Sequence, residues 1–132
     1  MFEQAQEVVT PSDSLYRLVS PDYIEPDGHV NLFAYCYRKS RKPDPAVSVD
    51  LARLVDKPED TLIRSRLEGT RIGELSAVVP FGMGLTVTHC PAFDNWAHTE
   101  IRGARTQAEC EQMARATNIR HERRTNDGIS YD

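Results

Sequence analysis

Apolar runs cut at close intervals by proline, glycine and aspartate limit this chain to short elements, because such residues end a strand or a helix within a few positions. Thr10-Pro11-Ser12-Asp13, Ser20-Pro21, Asp27-Gly28, Pro43-Asp44-Pro45, Pro58, Gly69, the Gly82-Met83-Gly84 bend and Pro91 divide the 132 residues in this way. No window approaches the ~20 apolar residues of a membrane-spanning helix. The polar, acidic start MFEQAQEVV lacks the basic-then-apolar order of a signal peptide.

Between the breakers, residues 15–19 have the β-branched and aromatic content of a strand. Residues 30–37 predict a second strand, with Leu32, Ala34 and Cys36 on one side and Phe33, Tyr35 and Tyr37 on the other, and 47–51 a third with alternating polarity. Residues 78–88 predict two extended pieces around the Gly82-Met83-Gly84 bend, and 96–101 a further strand; 71–79 carry no clear period. Pro58 suits the first turn of a helix, with Glu59 and Asp60 favourable beside it and Gly69 as the stop. Thr106 with Glu109 three residues later is a capping-box signal for a second helix that fades near Asn118.

Short strands with two helices, the second near the C-terminus, predict a single small α+β domain with mostly antiparallel strands rather than alternating βαβ units. The expected organisation is a flexible leader over 1–13, the domain over 14–119 and a polar tail over 120–132.

A net charge of -4 argues against a surface built throughout to hold nucleic acid. Arg38, Lys39, Arg41 and Lys42 nevertheless form a basic loop, which Tyr35 and Tyr37 could support by stacking on bases. Cys36, Cys90 and Cys110 are odd in number and widely spaced, a pattern of reduced thiols that predicts a cytoplasmic protein. With no C-x-x-C or H-E-x-x-H spacing, and with His89 and Cys90 expected on opposite faces of a strand, neither a metal nor another cofactor is predicted. His98 could serve Cys90 or Ser48 as a base, imidazole being suited to acid-base work near neutrality. In the ordinary reading, Tyr16 and Trp96 are packing residues and Arg17 pairs with an acid such as Asp50.

Two resemblances bear on function. Leu15-Tyr16-Arg17 looks similar to the opening of ADP-ribosyltransferase-like domains, including the RES type, which carry an early strand Arg, a middle Ser and a late Glu around a nicotinamide dinucleotide. That resemblance implies that Arg17 holds the pyrophosphate, Ser48 supports the nicotinamide ribose and Glu100 stabilises the cationic sugar, with His98 nearby. The chain is short for that fold, and Ser48-Val49-Asp50 is not the usual middle motif.

Leu15-Tyr16-Arg17-Leu18-Val19-Ser20-Pro21, Asp27-Gly28, Ser48-Val49-Asp50, Pro58-Glu59-Asp60 and Asn95-Trp96-Ala97-His98 with Ile101, in that order, resemble a group of small bacterial proteins. Members pair an L-Y-R start with a central S-V-D and a late N-P-A-H; this chain departs at Trp96, where the pattern has Pro. The resemblance spans about residues 15–103 and implies bacterial origin. In the absence of a complete catalytic motif, the expected function is a non-enzymatic accessory or adaptor protein of a bacterial operon, in a defence or toxin-antitoxin setting, acting through protein-protein contacts.

Overall fold

A computed structural model describes residues 6–36, 43, 45–62, 68–92 and 94–122. Among the described residues, six strands form one antiparallel sheet: β1 (Ser14–Val19), β2 (Ala46–Leu51), β3 (Arg71–Ser76), β4 (Thr86–His89), β5 (His98–Arg102) and β6 (Asn118–Glu122), in the order β4-β5-β2-β1-β3-β6. Three helices accompany it among the described residues: α1 (Pro58–Leu62), α2 (Val78–Gly82) and α3 (Gln107–Ala116). The α+β class and the antiparallel pairing expected from the breaker spacing are present.

Alternation along the strands sorts the side chains into two faces. Register pairs Leu15 with Leu51, Leu15 with Leu75, and Val47 and Val87 with Ile101, so these residues share one face. Under it lie Cys110, Met113 and Ala114 of α3, which are fully buried and complete the core. The opposite face is split in two. Over β1, β3 and β6 it is covered by α1, whose Thr61 and Leu62 are buried. Over β2, β5 and β4 it carries the polar residues Ser48, Asp50, His98, Glu100, Arg102, Thr86 and Thr88, of which Ser48, Thr86, Thr88 and Arg102 are exposed.

The capping box forms as the Thr106/Glu109 spacing predicts: Glu109 N donates to Thr106 Oγ1 at 3.1 Å, and Thr106 N donates back to Glu109 Oε1 at 2.8 Å. Pro58 opens α1 and Gly69 lies in a turn at φ +87°.

Three expectations are corrected, and one stretch left without a reading is resolved. Residues 30–36, the described part of the expected 30–37 strand, do not make one: Val30 bridges Ile24, and a 3-10 turn spans Leu32–Ala34, begun by Asn31, whose side chain accepts from Phe33 N. The first of the two extended pieces expected around the Gly82-Met83-Gly84 bend is α2, and only the second is a strand. The stretch without a clear period contains β3, whose Ile72 and Leu75 are buried on opposite faces because both are covered there. The chain after α3 pairs with β3 through Glu122, so a strand occupies the first residues assigned to the polar tail.

The leader meets the body at several points. Glu7 N donates to His89 Nδ1 at 2.8 Å, Val9 is buried, and Ala77 N donates to Asp13 O at 2.9 Å. Arg53 joins Glu7 Oε1, Val8 O and Asp13 Oδ1 in one cluster at 2.6, 2.9 and 2.8 Å.

Candidate functional site

Asp50 organises the polar face. It is buried, and its carboxylate accepts from Thr61 Oγ1 of α1 at 2.7 Å and from Asn95 Nδ2 at 2.8 Å. Asn95 Oδ1 in turn accepts from Ala97 N at 3.1 Å, which shapes the tight turn leading into β5. One carboxylate therefore fastens α1, β2 and the β4–β5 hairpin together, and so connects the central S-V-D with the later N-W-A-H. Trp96 sits in that turn with its carbonyl accepting from His89 Nε2 and its ring edge-on to His89, the centroids 4.7 Å apart.

The result of this fastening is the position of His98. In the ladder it pairs with Asp50, and Glu100 pairs with Ser48. His98 Nε2 lies 3.3 Å from Ser48 Oγ, while Nδ1 lies 2.9 Å from Cys90 O and 3.6 Å from Cys90 Sγ. The fold thus places His98 between both of its sequence-predicted partners. The Cys90 carbonyl can only accept, so the ring carries its proton on Nδ1, donates to Cys90 O and accepts from the Ser48 hydroxyl.

Arg17 departs from its expected pairing with Asp50. Its Nε and Nη2 donate to Ala34 O at 3.1 and 2.8 Å, its Nη1 donates to Ser48 O at 2.8 Å, and its guanidinium carbon lies 5.9 Å from the Tyr35 ring centroid. The reason is alternation: Arg17 lies on the same side of β1 as Leu15 and Val19, and the β1–β2 ladder runs through Leu15 and Tyr16 before the guanidinium bridges onward to β2.

Arg17, Ser48 and His98, with Tyr16, Asp50, Thr61 and Asn95, line a cleft of about 150 Å3. Glu100 stands beyond it, its Oε1 accepting from Arg102 Nε at 2.8 Å. Burial raises the pKa of Tyr16, and the neighbouring Glu74 pushes it the same way. A larger hollow of about 700 Å3 lies between the 25–33 loop and α3, bordered by Glu25, Asp27, His29, Glu111 and Arg115; among the described residues, none of the sequence candidates lines it.

The basic loop of Arg38, Lys39, Arg41 and Lys42, and Tyr37, fall outside the described residues. Tyr35 is fully buried, so its ring is not available to stack on a base.

Sequence spacing predicts no metal site, yet the hairpin gathers Cys90, His98 and Glu100 so that their ligand atoms all lie within 4.8 Å of one another. Burial raises the pKa of the Cys90 thiol, and the adjacent Glu100 charge adds to this. Spacing could not disclose the cluster, because its members meet only through strand register. The same holds for Thr61, which carried no signal beyond its polarity, and for the bond from Asn95 to Asp50, since Asn95 stood out only as the start of the late N-W-A-H element.

No protein-family model, curated protein or solved structure matches this chain.

Proposed function

We propose that the protein is a non-enzymatic accessory or adaptor that binds another protein through the open polar face of β2, β5 and β4. The observation that carries this reading is the state of the charged groups around the cleft. The Arg17 donors are engaged by backbone carbonyls and Asp50 by Thr61 and Asn95, so both hold the fold together instead of facing a reacting centre. The cleft, at about 150 Å3, is also small beside the roughly 300–1,000 Å3 of ordinary small-molecule sites. A bacterial operon in a defence or toxin-antitoxin setting remains the proposed context, resting on the sequence resemblance alone.

Capture of the tagged chain from its native host tests this. A stoichiometric protein partner held by the wild type and lost on Arg102→Glu, an exposed change on the open face, is the expected result. Failure to recover such a partner, together with turnover of a small substrate, would overturn it.

A second reading has one specific observation in its favour. Arg17, Ser48 and His98 line one cleft and Glu100, outside it, is the direct cross-strand neighbour of Ser48, although alternation starts the Arg17 side chain from the core side of β1. This reading, that of an ADP-ribosyltransferase-like site, predicts loss of labelled nicotinamide dinucleotide with the wild type and none with Glu100→Gln. Equal, background-level loss with both proteins removes it.

A further inference from the structure

We propose that Cys90, His98 and Glu100 form a binding site for a divalent transition-metal ion of the zinc type, open to a fourth ligand. The argument begins with the hairpin. His89 pairs with Thr99 and Cys90 N donates to His98 O at 2.9 Å, so Cys90 and His98 face each other across adjacent strands. Glu100 follows two residues along β5, on the same face as His98. A thiol, an imidazole and a carboxylate are the three ligand types that zinc takes.

Distance supports the assignment. A tetrahedral ion with a metal–sulfur bond of about 2.3 Å and a metal–nitrogen bond of about 2.0 Å holds the two ligand atoms roughly 3.5 Å apart. Cys90 Sγ and His98 Nδ1 are 3.6 Å apart. The third edge closes by rotation of Glu100, whose ligand atom already lies within 4.8 Å of the other two. All three residues are half-buried, which shields an ion from bulk water while leaving one coordination position accessible.

A second observation is independent of the ligands. Metal-bound histidines donate their other ring N–H to a fixed acceptor, and His98 Nε2 has Ser48 Oγ at 3.3 Å. Binding therefore breaks the Nδ1–H bond to Cys90 O and shifts the ring proton to Nε2, where Ser48 Oγ accepts it: the Nδ1 lone pair goes to the metal, the Cys90 Sγ–H proton leaves to solvent, and water leaves the ion. The balance is one proton released per ion bound. Ser48 acts as a positioning residue. The site shares the open face with the proposed protein contact but does not depend on it.

The test uses the full chain, stripped with chelator and titrated with Co2+ alone and then Zn2+. Expected are one equivalent of Co2+ per chain, a tetrahedral ligand-field spectrum with a thiolate charge-transfer band, and displacement by Zn2+. Cys90→Ser should abolish the charge-transfer band, whereas Cys36→Ser and Cys110→Ser keep it. Ser48→Ala should weaken affinity about tenfold with the band retained. Thermal unfolding of the metal-free variants checks that each is folded. Absence of binding at micromolar metal, an octahedral spectrum, or a charge-transfer band that survives Cys90→Ser in a folded protein would each overturn the site.

Discussion

The Tyr35 and Thr117 hydroxyls lie 2.7 Å apart inside the core, joining the loop that follows the Leu32–Ala34 turn to the end of α3. Thr117 Oγ1 also donates to Met113 O at 2.7 Å, so the Tyr35 hydroxyl is the donor between the two side chains. This direction makes the two deletions unequal. Tyr35→Phe removes one neutral bond and leaves the Thr117 hydroxyl engaged, a cost of about 1 kcal/mol. Thr117→Val keeps the shape but strands the buried phenol, at roughly 1–3 kcal/mol. Urea unfolding of both variants decides it; a larger loss for Tyr35→Phe would reverse the assigned donor.

Alkaline pH should act on the same residue. Burial raises the pKa of Tyr35, only partly countered by the Thr117 bond and the Arg17 charge. The unfolded phenol ionises near pH 10 while the folded one resists, so the unfolded state sheds the proton first. The stability this group contributes is thus whole below about pH 10 and lost as pH climbs from there toward the folded value. Melting temperatures from pH 9 to 11 should fall more steeply for the wild type than for Tyr35→Phe; parallel curves would disprove the linkage.

Asp50 offers a test of the hub on the opposite face. Asp50→Ala leaves the Thr61 hydroxyl and the Asn95 amide without their acceptor in a buried setting, and each orphaned donor costs roughly 1–3 kcal/mol. The turn before β5 should loosen with it. A midpoint shift worth about 2–5 kcal/mol, with the His98 and Ser48 NMR signals displaced, is expected; a shift within error would show that the two donors find other partners.

These residues also mark how far the sequence could be read. Elements carried by local chemistry were legible: the Thr106/Glu109 box, the Pro58 start, and the alternation at 47–51 that became β2. Residues 30–37 misled because their aromatic content imitates a strand, whereas Asn31 caps a 3-10 turn and tertiary packing claims Tyr35. Val78 and Val79 misled likewise, their β-branched side chains lying in α2, which packs against β4 and α3. At the site, His98 and Ser48 stood out by residue type, but their 3.3 Å approach and the Cys90–His98 pairing depend on register across strands 50 and eight residues apart. No local pattern encodes register of that range.

The helix cap gives a calibrated pair of substitutions. Thr106→Ala removes the acceptor for Glu109 N and should cost about 1 kcal/mol. Met113 is fully buried against the sheet, so Met113→Asp places a charge in the core and should cost several times more. Denaturation midpoints should rank wild type, Thr106→Ala, then Met113→Asp; an equal loss for the two would mean that α3 is held by its cap and not by its packing.

Gly73 carries the sharpest steric expectation. It lies in β3 opposite Arg17, at the point where the register with β6 shifts between Ile72 and Gly73. A glycine inside a strand ordinarily weakens it, so Gly73→Ala would be stabilising if backbone entropy decided the matter. Here a Cβ would collide with Thr117 Cγ2 and come within 3.1 Å of Val19 Cγ2. Both neighbours are buried and cannot swing into solvent. Overpacking of this kind costs about 1–3 kcal/mol, which exceeds the entropic gain of roughly 0.5–1 kcal/mol, so Gly73→Ala should destabilise. Thr117→Ser supplies the control, since it deletes the colliding methyl and keeps the hydroxyl that bonds Tyr35 and Met113 O. The double variant should recover most of the loss, giving a favourable coupling of about 1 kcal/mol in a double-mutant cycle. Strict additivity of the two changes would show that the strand relaxes around the methyl, and that glycine is present at 73 for another reason.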